Sequence, residues 1–290
     1  MAQKILHEIK FSFSSDAPDK AEFLRGLLKL YGVPEQEIVE VNQNGKTEIS
    51  LFADSKRRAF SLKQKLTCVF HSGIAISVKP IKTKDWQTRW KQDFKTFALT
   101  KKISIVPSWE KTIWKNGKTE PLFIDTDTVF GTGMHPTTRF MAGFIEAKRG
   151  QFNNFLDIGT GTGILSLVAW KNGCKQIWCL DISREAIRVA KRNFKKNQCR
   201  PRFIKAIDFE RFKSLKKFDF VAANVLSLDL VRMKKAIISH VNPGKFLAVS
   251  GIYLKNYPMF RKRFDDPQLR CLTAVKREGW AAVLYMAKKE

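Results

Sequence analysis

Acidic residues are scarce in this chain: 27 Asp and Glu stand against 53 Lys and Arg, a formal charge of +26. Two readings of that imbalance remain open. One is contact with RNA or another polyanion; the other is positive charge spread over solvated faces. The basic clusters Lys56-Arg57-Arg58, Arg192 to Lys196, Lys213 to Lys217 and Arg261-Lys262-Arg263 are short and dispersed, with no basic tail. Cysteine is also sparse. Cys68, Cys174, Cys179, Cys199 and Cys271 are scattered, and none forms a Cys-x-x-Cys pair. They point to reduced packing residues and away from a disulfide framework, a metal site or a redox centre. No apolar run approaches the roughly 18 residues a membrane span needs. The first residues, MAQKILHEIKFSFSSDAP, alternate apolar and polar, which suits a strand and not a signal peptide. These absences lead to the expectation of a cytoplasmic chain with no membrane or metal partner. Its 44% hydrophobic content over 290 residues is enough for one large domain or two ordinary ones.

What is present centres on residues 155–181, FLDIGTGTGILSLVAWKNGCKQIWCLD. An apolar run ends at Asp157, and the glycine turn Gly159-Thr160-Gly161-Thr162-Gly163 follows. A helix-like run comes next, then a second apolar run ending at Asp181. This is strand, glycine turn, helix, strand, acid: the first half of a nucleotide-binding α/β sheet. Glycine lets the backbone turn sharply and lets a ligand lie against it. A carboxylate at Asp181, about twenty residues on, can accept from both ribose hydroxyls of an adenosine. The dinucleotide fingerprint is missing, because Ile164 stands where its third glycine belongs, and no Gly-Lys-Ser/Thr of a Walker loop follows. Asp157 would repel a pyrophosphate but favour the ammonium and sulfonium of S-adenosylmethionine.

Upstream, the order of expected elements is βαββαβ. Strands fit 3–13, 37–41, 47–53 and 73–79, and helices fit 20–31 and 55–66, the first with Phe23, Leu24, Leu27, Leu28 and Tyr31 on its spacing. That is a small ferredoxin-like α+β domain. Trp86, Trp90 and Phe94 lie at i, i+4, i+8 and suggest a connecting helix over 83–95. Ile103 to Trp109 and Pro121 to Ile124 read as strands around the Asn116-Gly117 turn. The loop Asp125 to Arg139, DTDTVFGTGMHPTTR, precedes a helix over 140–148, and Thr137 and Thr138 fall at its N-terminus. Free amides and hydroxyls there can bind a carboxylate or simply cap the helix. Downstream, a Ser183-capped helix over 184–196, strands at 203–206, 218–223 and 246–250, a helix over 226–240 and a hairpin around Glu278-Gly279 complete an open twisted sheet. Gly159, Asp181, Asp208 and Asn224 all fall at carboxyl ends of strands, where such sheets bind ligands.

Phe130-Gly-Thr-Gly-Met-His-Pro-Thr-Thr138, Asp157-Ile-Gly-Thr-Gly-Thr-Gly163 and Asn224-Val-Leu together resemble the bacterial ribosomal protein L11 methyltransferases. The likeness runs from about residue 85 to the end; residues 1–80 share mainly the layout. Val129, Met134 and Ser227 depart from the family's usual residues. The resemblance implies a Rossmann-like class I methyltransferase sheet with a terminal antiparallel hairpin, behind a small α+β domain. It also implies a division into substrate recognition over 1–82, a linker helix over 83–100 and catalysis over 101–290. S-adenosylmethionine would be the cofactor, contacted by Thr138, Gly159, Asp181 and Asn224, and lysine side chains or the N-terminal amine of the ribosomal protein the acceptor, with a monomer expected. No residue stands out as a general base, and His135 reads equally as a loop anchor or a pocket residue. The alternatives are an RNA methyltransferase, a lysine methyltransferase of another protein such as electron-transfer flavoprotein, or a non-enzymatic binding protein. Base-directed enzymes place Pro-Pro-Tyr or Pro-Pro-Phe after the Asn; here Val225-Leu226 follows Asn224.

Overall fold

The computed structural model describes residues 5–14, 18–33, 38–43, 46–53, 55–70, 73–82, 94–112, 114, 117–125 and 131–289. The chain forms two compact units, Met1–Phe94 and Lys95–Glu290.

The first unit has β1 (Ile5–Ser14), α1 (Pro18–Leu30), β2 (Val39–Gln43), β3 (Lys46–Ala53), α2 (Lys56–Val69) and β4 (Ala75–Lys82). All strand pairs are antiparallel, in the order β2-β3-β1-β4. The alternation read from the sequence is the reason. Ile9, Phe11 and Phe13 of β1 and Ile49 and Leu51 of β3 face one side and are buried there. Leu24 and Leu28 of α1 and Ala59, Leu62 and Leu66 of α2 join them in one core. Each such large apolar side chain contributes roughly 1.5–3 kcal/mol on burial. Two residues of the expected helix stripe turn outward instead: Phe23 is 54% and Tyr31 39% exposed. A helix covering a four-stranded sheet buries a stripe narrower than five residues, and Leu24 and Leu28 occupy its centre.

The Trp86 and Trp90 helix falls outside the described residues. Residues 94–96 carry no helix, and Phe97–Ala98 form a strand, β5, paired with the next one, so the stretch 94–100 is not helical. β6 (Ile103–Pro107) and β7 (Glu120–Ile124) pair in parallel, from Ile103 opposite Glu120 to Pro107 opposite Ile124. Their connection is therefore a crossover and not a turn back at Gly117. Trp109 lies in a short 3-10 turn, Ser108–Glu110, beyond the strand.

The large sheet contains β8 (Asn154–Ile158), β9 (Gln176–Asp181), β10 (Phe203–Ala206), β11 (Phe218–Asn224), β12 (Val241–Tyr253), β13 (Leu269–Arg277) and β14 (Trp280–Ala287). Their order is β10-β9-β8-β11-β12-β14-β13. The first five are parallel, and β14 inserts antiparallel between β12 and β13. β8, β11 and β12 read as nearly unbroken apolar runs because both faces are covered. The covering helices are α3 (Pro136–Ala147), α4 (Ile164–Lys171), α5 (Arg184–Lys196), α6 (Ser227–Ser239) and α7 (Tyr257–Phe264). The chain moves one way from β8 to β10 and the other way from β11 to β12. Right-handed crossovers then put α4 and α5 on the face opposite α6. The reversal lies between β8 and β11, the switch point of this sheet.

No element is expected from the sequence at α7, where Pro258 stands in the first turn and Arg261-Lys262-Arg263 in the last. Tyr257, Phe260 and Phe264 nevertheless bury one face. Asp265 at its end accepts from Arg261 Nε at 2.7 Å and from Tyr285 hydroxyl at 2.7 Å, which fastens it to β14.

Candidate functional site at the carboxyl edge of the sheet

The register builds the site. Ala223 pairs with Ile158 across β11 and β8, and Ile158 with Leu180 across β8 and β9. The next residue on each strand is Asn224, Gly159 and Asp181. They form one row across the switch point, with strands about 4.8 Å apart. Three of the four site residues named from the sequence therefore share an edge.

Gly159 has φ +73°, and a Cβ there would stand 2.5 Å from Val225 Cγ1. The turn is tied to β9: Gly159 and Thr160 amides both donate to Leu180 carbonyl at 2.9 Å, and Gly161 amide donates to Asp181 Oδ2 at 2.9 Å. Asp181 Oδ1 accepts from Ser183 amide at 2.8 Å. Each carboxylate oxygen keeps capacity for a further donor. Burial raises the Asp181 pKa, partly offset by those amides.

Asp157 lies beneath the turn, 1% exposed. Its Oδ2 accepts from Ser166 hydroxyl at 2.6 Å and Thr160 hydroxyl at 2.8 Å, while its Oδ1 is buried with no hydrogen-bond partner. Burial pushes its pKa up to about 6. Thr138, in the first turn of α3, also has a buried hydroxyl with no partner. Thr137, by contrast, is engaged: its amide donates to His135 Nδ1 at 3.3 Å, and its hydroxyl lies 2.7 Å from the same nitrogen. His135 is thus the N-cap of α3. Its ring meets Trp280 edge-on at 4.6 Å, and burial, aided by the Arg139 charge, lowers its pKa to about 4. A neutral ring is what a capping acceptor needs, and this favours the anchoring role over acid–base work. Asp208 is taken up by its local turn, accepting Glu210 amide at 3.1 Å. Asn224 is half-buried, and its amide has no hydrogen-bond partner among the described residues.

Three contributors escaped the sequence reading. Asn193 and Asn197 lie one turn apart on the buried face of α5. Asn193 accepts Asp125 amide at 2.9 Å and donates to Asp125 carbonyl at 2.8 Å and Thr162 carbonyl at 2.9 Å. Asn197 makes the same reciprocal pair with Phe123, at 2.9 and 2.7 Å. The two amides stand in for the missing neighbour of edge strand β7 and fix the start of the 125–138 loop. Thr162 hydroxyl, donating to Gly131 carbonyl at 2.7 Å, fixes its far part. Two buried asparagines at i, i+4 among apolar helix positions were the available signal. Asn193→Ala would leave three backbone groups unpaired, costing about 2–3 kcal/mol. A melting temperature lowered by about 5–10 °C is expected, read by circular dichroism.

The third is Gly251, at the bulge of β12, with φ +88° and a virtual Cβ only 2.0 Å from Val225 carbonyl oxygen. Gly251→Ala must push Val225 away and displace Asn224 beside it. A loss of turnover exceeding the loss in cofactor affinity is expected, measured by kinetics and calorimetry side by side.

The arrangement suits a cofactor carrying an adenosine, a positive charge and an amino-acid end: an acid on the ribose edge, an unpartnered buried carboxylate oxygen, a spare hydroxyl and a glycine cradle. The family of the ribosomal protein L11 methyltransferases (PrmA) matches residues 23–289. The chain belongs to this family. A Staphylococcus aureus ribosomal protein L11 methyltransferase is 32% identical over 212 residues, 73% of this chain and 68% of that protein. The crystal structure of the ribosomal protein L11 methylase from Lactobacillus delbrueckii subsp. bulgaricus superimposes with a TM-score of 0.60 at 25% identity. It covers 67% of this chain and 99% of that one. The protein is a methyltransferase that uses S-adenosylmethionine. Among the described residues no helix is long and apolar enough to cross a membrane, and no group of His, Cys, Asp or Glu could hold a metal.

Cofactor affinity should depend on pH through Asp157. A bound cation favours its carboxylate form, so binding releases a proton wherever the free carboxyl is protonated. Affinity is therefore full above pH 6 and falls as pH drops through about 6. About tenfold weaker binding at pH 5 than at pH 7 is expected, since one pH unit below the pKa is worth one decade. His135 stays neutral across that window. Calorimetry of the wild type and of Asp157→Asn, whose profile should be much shallower, with Asp181 left as the other carboxylate of the site, checks this.

Proposed function

We propose that this protein methylates lysine side chains, the N-terminal amine or both on ribosomal protein L11, in the cytoplasm and as a monomer. Residues 95–290 carry the chemistry, and the ferredoxin-like unit recognises the protein substrate. The observation that carries the acceptor assignment is the row Asn224, Gly159, Asp181 with Val225-Leu226 following the asparagine. An unpartnered amide at the switch point, with no aromatic platform after it, suits an aliphatic amine better than a nucleobase. Family membership supports the same substrate.

Each residue then has one task. Asp181 accepts from the ribose hydroxyls, and Gly159 leaves room for the cofactor to lie on the backbone. Thr138 hydrogen-bonds the methionyl end, while Asp157 balances positive charge beneath the turn. When bound, the cofactor supplies a methyl group already activated by its sulfonium. The chain's contribution is then mainly positioning, which can supply several kcal/mol of rate enhancement. A lysine amine, with an ordinary pKa near 10.4, must arrive uncharged. The Asn224 carbonyl accepts a hydrogen bond from it and orients its lone pair; no side chain in the row is suited to be a base. The test is mass spectrometry of ribosomal protein L11 after incubation with enzyme and cofactor. Added methyl groups on amine nitrogens support the reading; no modification, or methyl on carboxylates, overturns it.

A further inference from the structure

We propose that the groove between α5 and β10 binds the sugar–phosphate backbone of RNA, independently of the methyl acceptor. Residues 184–205 carry nine Lys and Arg and one acid, Glu185. Nearby carboxylates are committed: Glu185 pairs with Arg188, and Asp125 with Lys196. Lys191, Lys195 and Arg200 are exposed, and none pairs with a carboxylate among the described residues. They line an open groove of about 620 Å³ with an apolar floor that includes Phe194, Pro201 and Ile204. That volume lies within the range of ligand-sized clefts. Here the positive charge lines a concave surface. In the Arg261 run, Arg261 itself pairs with Asp265.

The groove lies away from the catalytic row. α5 follows β9 and runs back along the sheet, so its C-terminal half and Pro201 sit towards the amino ends of the strands. The row Asn224, Gly159, Asp181 sits at the carboxyl ends. An occupant of the groove and a methyl acceptor need not compete. Lys191 and Lys195 are one helical turn apart, about 6 Å along the axis. Evenly repeated phosphates of a strand meet such a spacing better than isolated carboxylates do. The groove presents no exposed aromatic ring for base stacking, so recognition is of backbone charge: sequence-independent and steeply dependent on salt.

The experiment is fluorescence anisotropy of a labelled single-stranded RNA of mixed sequence, titrated with full-length protein at several salt concentrations. The triple variant Lys191→Glu, Lys195→Glu, Arg200→Glu should bind at least tenfold more weakly. Its slope of log affinity against log salt should be shallower by about two, at about 0.7 per lost phosphate contact. The control Lys56→Glu, Arg57→Glu, Arg58→Glu, with the same change in charge, should lose less than threefold. Glutamine versions and melting curves separate a folding defect from a lost contact. Equal losses in the two triples, no RNA binding by the wild type, or polyglutamate binding as tightly as RNA would each overturn the proposal. Methyl transfer to ribosomal protein L11 should be unchanged in the groove variant. Failed transfer by the wild type would count against the proposed substrate and leave the groove result standing.

Discussion

Asp181→Ala should weaken S-adenosylmethionine binding about a hundredfold, with the melting temperature of the free protein lowered only modestly. A carboxylate accepting two hydroxyl hydrogen bonds contributes roughly 1.5–3 kcal/mol per bond to a charged group, and a hundredfold is about 2.7 kcal/mol. The site adds a second reason. Asp181 also holds Gly161 amide and Ser183 amide, at 2.9 and 2.8 Å, so its removal loosens the glycine turn and the start of α5 together. Asp181→Asn separates the two effects. It keeps one acceptor oxygen, so it can satisfy one of those amides but cannot serve the two ribose hydroxyls as well. An affinity between wild type and alanine is expected for it by calorimetry. An unchanged affinity in the alanine variant would remove Asp181 from the ribose.

Asn224→Ala should act on the other half of the reaction. A loss of about a hundredfold in turnover is expected, with a distinctly smaller loss in cofactor affinity. One well-placed polar contact at a reacting centre is worth about that much when removed. The Asn224 side chain makes no hydrogen bond to the described residues, so its truncation leaves no partner unpaired and should hardly change stability. Steady-state kinetics with the protein substrate, alongside calorimetry with the cofactor, separate the two quantities. A variant that loses cofactor affinity in proportion to turnover would make Asn224 a cofactor contact alone.

Much of this site could be read from residue order, because a parallel sheet converts sequence into position. The glycine turn after the first strand, the acid ending the second and the asparagine ending the fourth each had to fall at one edge once the strands were parallel, with Asp157 just beneath it. The stretch Arg184 to Lys196 could be read as a Ser183-capped helix for the same local reasons that form it: a serine N-cap and apolar residues at helical spacing. What was not legible depended on partners distant in sequence. Asn193 and Asn197 look like surface polar residues until β7, some 70 positions earlier, supplies the backbone they bond. The close approach of Gly251 to Val225 and the unspent hydroxyl of Thr138 are likewise products of packing. Within α3, the sequence could not say which threonine was free; the cap of His135 onto Thr137 decides it. The parallel pairing of β6 with β7 was hidden because an Asn-Gly pair between two apolar runs more often marks a hairpin.

The most direct test offers labelled S-adenosylmethionine and enzyme to purified ribosomal protein L11, total large-subunit proteins and protein-free ribosomal RNA in parallel. Label on the L11 band alone, lost in Asn224→Ala, is the predicted result. Label on RNA with none on protein would contradict it, and would mean that the row at the sheet edge receives a base and not an amine.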